Sequence, residues 1–205
     1  MKHKPIFVTG IGTGVGKTIA SAVIVESLRA DYWKPIQSGD LDHTDTDRVK
    51  SLISNKDSIF HAEAYRFNQP YSPHKSAALD NNIIDLNNIE LPRTNNCLVI
   101  EGAGGLMVPL NDRDLMIDLI KKFDAEVVLV SQNYLGSINH TLMSAEILHH
   151  RGIKVRNIVF CGEPDLSTQD IISKHFQIEH LHIPFIHSLT RKQISKLALE
   201  FKLSK

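Results

Sequence analysis

The chain has 205 residues, 42% of them apolar and 22% charged, and its 23 basic side chains are matched by 23 acidic ones. That length wraps a well-buried core around one sheet, which argues for a single domain over residues 1–205 and against two. Balanced charge gives no field that would draw the chain to nucleic acid or anionic lipid, and its apolar runs fall far below the roughly 20 residues that cross a bilayer, so neither nucleic acid nor membrane is an expected partner.

At the start, Met1 to Pro5 leads into an apolar run too short for a secretion signal, so the expected location is cytoplasmic. Short β-branched runs follow at Ile6 to Thr9, Tyr32 to Lys34, Cys97 to Glu101, Val127 to Ser131, Asn157 to Phe160 and, more weakly, His182 to Pro184. Segments with a period near 3.6 lie between or after them, at Thr18 to Leu28, Ile138 to Leu148 and Gln193 to Phe201. This alternation predicts βαβ units in an α/β fold, a mostly parallel sheet with helices on both faces. The stretch from Ser54 to Thr94, with its Asn, Pro and Asp clusters, reads as an insertion carrying loops. Cys97 and Cys161 each adjoin an apolar strand and read as reduced core thiols, not a disulfide. The eleven histidines show no zinc spacing, and His149 with His150 reads as the polar end of a helix.

The chemistry begins where the first strand ends. Residues 10–18 read GIGTGVGKT, a glycine-rich run between a strand and a helix, as a phosphate-binding P-loop requires. Glycines let backbone N–H groups converge on phosphate oxygens, and the helix N-terminus adds favourable partial charge. Lys17 would reach the β and γ phosphates, and Thr18 would offer its hydroxyl to Mg²⁺, which prefers oxygen ligands. The loop is one residue longer than the common spacing, since Ile11 stands where the first glycine is usual. A turn that merely packs helix on strand is the alternative.

Glu101 closes an apolar strand and is followed by Gly102, Ala103, Gly104 and Gly105, which carries its carboxylate to the C-terminal edge of the sheet. Buried there, it calls for a cation. Asp47 is a second carboxylate suited to the same Mg²⁺, although the pair Asp45 and Asp47 is equally suited to cap a helix. Lys34 lies at another strand end on the same edge; a surface lysine is the other reading.

Together these motifs resemble the dethiobiotin synthetase family. Residues 10–21 are similar to the family's G-T-x-T-x-V-G-K-T loop, whose extra residue matches the long spacing, and residues 34–39, KPIQSG, to its K-P-V-x-S-G. TDTD at 44–47 resembles its S-D segment, SPHKSA at 72–77 its S-P-H-x-x-A, and EGAGG at 101–105 is the same in both; LGSINH at 135–140 completes the set. The matches keep family order from residue 6 to about residue 148.

The resemblance implies a single-domain P-loop NTPase-like enzyme that closes a cyclic urea on 7,8-diaminononanoate with CO₂, using ATP and Mg²⁺. Lys34 and Lys17 would be the catalytic cations, and Thr18, Asp47 and Glu101 the Mg²⁺ ligands. Nucleotide contacts would come from Gly14, Val15, Gly16, Lys17, Thr18 and Ile19, from Gly102, Ala103 and Gly104, and on the base side from Cys161, Gly162, Pro184, Phe185 and Ile186. Thr13, Ser38, Pro73, Ser137, Ile138 and Asn139 would hold the substrate, whose carboxylate reaches the second subunit of a homodimer. The base side departs from the family, with Cys161 where Asn is usual and no acidic residue near Arg191; Gly14 also stands where Glu is frequent. A thiol cannot imitate the paired donor and acceptor of a carboxamide, so weaker selection for adenine is expected. A cobyrinate-type amide ligase and a nucleotide-switched partitioning ATPase are the alternatives. The first usually carries a glutaminase domain, for which the chain has no residues left, and the second an early loop lysine where Ile11 and Gly12 stand.

Overall fold

The structure, a computed structural model, describes residues 4–203; the reading of Met1 to His3 therefore lies outside the described residues. In chain order the elements are β1 (Ile6–Gly10), α1 (Lys17–Leu28), β2 (Asp31–Trp33), β3 (Ile36–Ser38), α2 (Asp45–Leu52), β4 (Phe60–His61), β5 (Tyr65–Phe67) and α3 (Pro73–Leu79). After a single 3-10 turn at Leu86–Asn88 come β6 (Leu98–Gly105), α4 (Met116–Lys122), β7 (Glu126–Gln132), α5 (Ser137–His150), β8 (Val155–Cys161), α6 (Leu166–His175), β9 (His180–Ile183) and α7 (Arg191–Glu200).

The main sheet has seven strands in the order β4-β2-β6-β1-β7-β8-β9, and each pairing within it is parallel. Such a sheet must be covered on both sides, and the alternation along β1 does this directly. Ile6 and Val8 join Val99, Val128 and Val130 in a core beneath α1 and α7, supplied by Ala20, Val23, Ile24 and Ile194. Phe7 points the other way, with Trp33, Ile100 and Leu129, into a core closed by Met116, Leu119, Leu148 and Ile172 from α4, α5 and α6.

The Ser54 to Thr94 stretch is more ordered than expected. It supplies the edge strand β4, the helix α3, and β5, which pairs with β3 in a small parallel ladder of its own. Gly39 N donates to Phe67 O at 2.8 Å, so this ladder braces the turn after Ser38. The chain crosses from β1 through α1 to one side of the sheet and later fills the other side with β7. β1 therefore lies at the switch point where open α/β sheets form a crevice.

Candidate active site

Residues 11–16 form the loop between β1 and α1. Lys17 Nζ donates to the Gly12 carbonyl at 2.9 Å, so the loop curls back over its own lysine. Burial lowers the Lys17 pKa, while Glu101 pulls it the other way. Gly16 caps α1 with φ of 98°, and an added Cβ would come 2.8 Å from the Cys161 sulfur. Conformation and space both demand glycine there.

Three elements deliver a compact charged cluster beside this loop. Glu101 from β6 is 1% exposed, Lys34 just past β2 is 5% exposed, and Asp45 is the first residue of α2. Thr18 Oγ1 lies 3.0 Å from Asp45 Oδ1 and 2.9 Å from Glu101 Oε1, and its one proton serves one of them at a time. Lys34 Nζ is 2.7 Å from Asp45 Oδ2 and 3.4 Å from Glu101 Oε1. Burial pushes the Lys34 pKa down, but Glu101 and Asp45 outweigh it and leave the pKa above its ordinary value. Burial likewise pushes the Asp45 carboxyl up, and Lys34 with Thr18 more than offsets this, holding it below the usual range. Behind the cluster, the fully buried Tyr32 donates its hydroxyl to Glu101 Oε2 at 2.9 Å. Burial and the nearby Glu101 raise the Tyr32 pKa well above its ordinary value, which keeps it a donor.

Asp47 was expected among the cation ligands, but the structure turns it back onto Thr44 and brings Asp45 beside Thr18 and Lys34 instead. Asp47 is exposed and accepts hydrogen bonds from Thr44 N at 3.0 Å and Thr44 Oγ1 at 2.8 Å, while its own N–H donates back to Thr44 Oγ1 at 3.1 Å. This is a reciprocal capping box, which uses the third helical residue and leaves the first free to point into the cleft.

The cleft has a volume of about 1070 Å³. Of the residues expected from sequence, it gathers Thr13, Gly14, Gly16, Lys17, Thr18, Ile19, Lys34, Ser38, Pro73, Glu101, Ala103 and Gly104. Val15 is buried beneath the loop, and Gly102 packs on Phe7, where a Cβ would meet the ring at 2.7 Å. Cys161, Gly162, Pro184, Phe185 and Ile186 lie outside the cleft lining, at the ends of β8 and β9. Those ends are tied together by Gly162 N donating to Ile183 O at 2.9 Å. Burial pushes the Cys161 thiol up to about 12, so it is an inert wall against Gly16. Ser137, Ile138 and Asn139 begin α5, away from the cleft, behind Gly136, which has no side chain to cap the helix.

Sequence reasoning missed Gln37, Asp40, His43, Arg48 and Tyr71, which also line the cleft. Arg48 had a legible signal, since it follows Asp45 by three residues and so shares its face of a helix. Gln37 and Asp40 flank Ser38 and carry no such periodic mark.

A cation fits this arrangement. Two carboxylates and a hydroxyl form an all-oxygen donor set with a single hydroxyl proton between them, as Mg²⁺ prefers. A protein-family model described as an AAA domain matches residues 4–193. The ATP-dependent dethiobiotin synthetase BioD of Christiangramia forsetii is 54% identical over 171 residues, which cover 83% of this chain and 82% of that protein. The protein of the same description from Cytophaga hutchinsonii is 46% identical, with 96% of each chain covered.

The chain belongs to the ATP-dependent dethiobiotin synthetase family.

Family membership makes it an ATP-dependent ligase. Solved structures sharing the fold include a ParA family ATPase from Chlorobium tepidum, with a TM-score of 0.60 over 97% of this chain and 100% of that one. The Pyrococcus furiosus cell division ATPase MinD has a TM-score of 0.61 over 97% and 98%. Each is 13% identical to this chain, which speaks for the fold alone.

Proposed function

We propose that this chain carries out the ATP- and Mg²⁺-dependent carboxylation and ring closure of 7,8-diaminononanoate, giving dethiobiotin, ADP and phosphate. The observation that carries the reading is Lys34, an ammonium buried between Asp45 and Glu101 at the mouth of a phosphate-binding loop. One amine of the substrate takes up CO₂ and loses a proton, forming a carbamate. A carbamate oxygen then attacks the γ-phosphorus of ATP and ADP leaves. The second amine attacks the carbonyl carbon of this carbamic-phosphoric anhydride, phosphate departs with the C–O bonding pair, and the amine proton goes to solvent.

The residues suit each stage. Phosphoryl transfer asks for positioning and for neutralisation of spreading negative charge more than for covalent help. Lys34 keeps its proton, so it serves as an electrostatic clamp and not as a base. Lys17, close by at the start of α1, is the second cation. Thr18, Asp45 and Glu101 would hold Mg²⁺, which supplies charge neutralisation at the phosphates when bound. Ser38 Oγ is buried with no hydrogen-bond partner among the described residues, which supports its use, with Thr13, at the amine end of the substrate. Holding both nitrogens near one carbonyl makes ring closure intramolecular, an advantage worth several kcal/mol, on the order of 7–11 at best.

We read the protein as a single cytoplasmic domain working as a homodimer, with apolar side chains exposed near the start of α5 in support. Among the described residues no helix is long and apolar enough to cross a membrane. The test of function is a product assay with labelled bicarbonate, ATP and the diamine. Label in the ureido carbon, with ADP formed alongside it, is the expected result; ATP hydrolysis that ignores the diamine would sink the reading.

A further inference from the structure

Tyr32 is fully buried in β2, in register with Val99 of β6, and Glu101 stands two residues further along β6 on the same face. A tyrosine side chain is long enough to bridge that offset, as its 2.9 Å contact with Glu101 shows. The Tyr32 ring is braced by Phe60, its register partner on β4, at a centroid separation of 5.7 Å. Its hydroxyl donates to Glu101 Oε2 at 2.9 Å, and the described residues offer that oxygen no other donor. Glu101 Oε1 is thereby left for Thr18 at 2.9 Å and Lys34 at 3.4 Å.

We propose that Tyr32 is a positioning residue, whose hydroxyl locks the rotation of the Glu101 carboxylate so that Oε1 alone faces the cation site and Lys34. This rests on the reading that Glu101 holds the cation. A phenylalanine would fill the same space but orphan a buried carboxylate oxygen, which would then turn toward Lys34 or Thr18 and spoil the ligand set. Outer-shell partners of metal-binding groups typically control affinity or activity by roughly 10–100-fold.

The experiment is calorimetric binding of a non-hydrolysable ATP analogue, with and without Mg²⁺, to wild type, Tyr32→Phe, Glu101→Gln and the double variant, with thermal melts of each. Tyr32→Phe is expected to fold, to bind the analogue as wild type does without metal, and to need roughly 10–100-fold more Mg²⁺ for the same enhancement. In the double variant the tyrosine change should add nothing to the loss from Glu101→Gln, because the hydroxyl acts only through that carboxylate. If Glu101→Gln loses its Mg²⁺ response while folded Tyr32→Phe keeps that of wild type, the Tyr32 proposal alone is overturned. A Tyr32→Phe chain that fails to fold overturns it too, since the hydroxyl would then be a folding requirement. Wild-type Mg²⁺ response in Glu101→Gln would bring down the cation reading itself, and this inference with it.

Discussion

Asp45 and Asp47 stand two residues apart at the start of α2, alike in chemistry, and the helix gives them different work. At the first helical position Asp45 projects into the cleft and meets Lys34 and Thr18; at the third, Asp47 bends back to Thr44. The pattern Thr44-x-x-Asp47 is itself that of a capping box, so the spacing rule, applied strictly, singles out Asp45 for the site. Lys34, Glu101 and Lys17 were legible because each closes an apolar run or opens a helix in a recognisable motif, although β6 itself runs on past Glu101 to Gly105. Tyr32 was not, since one tyrosine in an apolar strand reads only as core. Asp45→Asn is expected to lower kcat/KM by on the order of 10–100-fold, by analogy with losses at metal-site partners. Asp47→Ala should leave turnover near wild type and cost about 1 kcal/mol of stability through the lost cap. Steady-state kinetics and thermal melts of the two variants decide it, and the reverse ranking would return Asp47 to the cation.

Among the elements, those with long apolar or periodic runs were readable and the short polar ones were not. β1, β6, β7 and β8 are covered on both faces and therefore read as β-branched runs. β4 and β5 have two and three residues, too few for a period to register. Over its eight residues α2 buries only Val49, so it has no apolar stripe to announce it. What holds α2 and α7 against α1 is partly polar, and it centres on Glu26. Its carboxylate accepts from Ser54 N at 3.0 Å, Asn55 N at 3.0 Å, Asn55 Nδ2 at 2.9 Å and Ser195 Oγ at 3.0 Å, and from the Ser54 hydroxyl. Burial raises the Glu26 pKa, but the bonds from Ser54 and Asn55 outweigh it and hold the group at about 2, against an ordinary 4.5. Because the folded pKa is depressed, this contribution to stability is complete above the unfolded value and drains away as pH falls from there through about 2. Glu26→Gln should lower the denaturation midpoint at neutral pH and lose less further stability than wild type on acidification across that window. Parallel midpoint-against-pH curves for the two proteins would refute this role.

At the scale of the molecule, the parallel sheet, its covering helices and the loop at its switch point followed from the alternation of runs, whereas the surface did not, because exposure leaves no periodic trace. Most exposed apolar residues stand singly and need no account. The exception is the approach to α5, where Tyr134 is 44%, Leu135 103%, Ile138 38% and Met143 53% exposed within ten residues of chain. A concentration of this kind suits association, and a two-fold contact between identical chains is the commonest closed form. It adjoins Ser137 and Asn139, so a second copy docked there would border the uncapped start of α5, whose free N–H groups suit a carboxylate. Sedimentation equilibrium of the full chain should therefore give a dimer. Leu135→Glu, which sets a charge on the most exposed of these four side chains, should shift it to monomer while leaving the thermal unfolding profile of the subunit cooperative. Since Leu135 touches neither the P-loop nor the Lys34 cluster, nucleotide binding should survive the change, while KM for the diamine rises if the partner completes its site. A wild-type chain that sediments as a monomer at all concentrations would remove the surface from consideration.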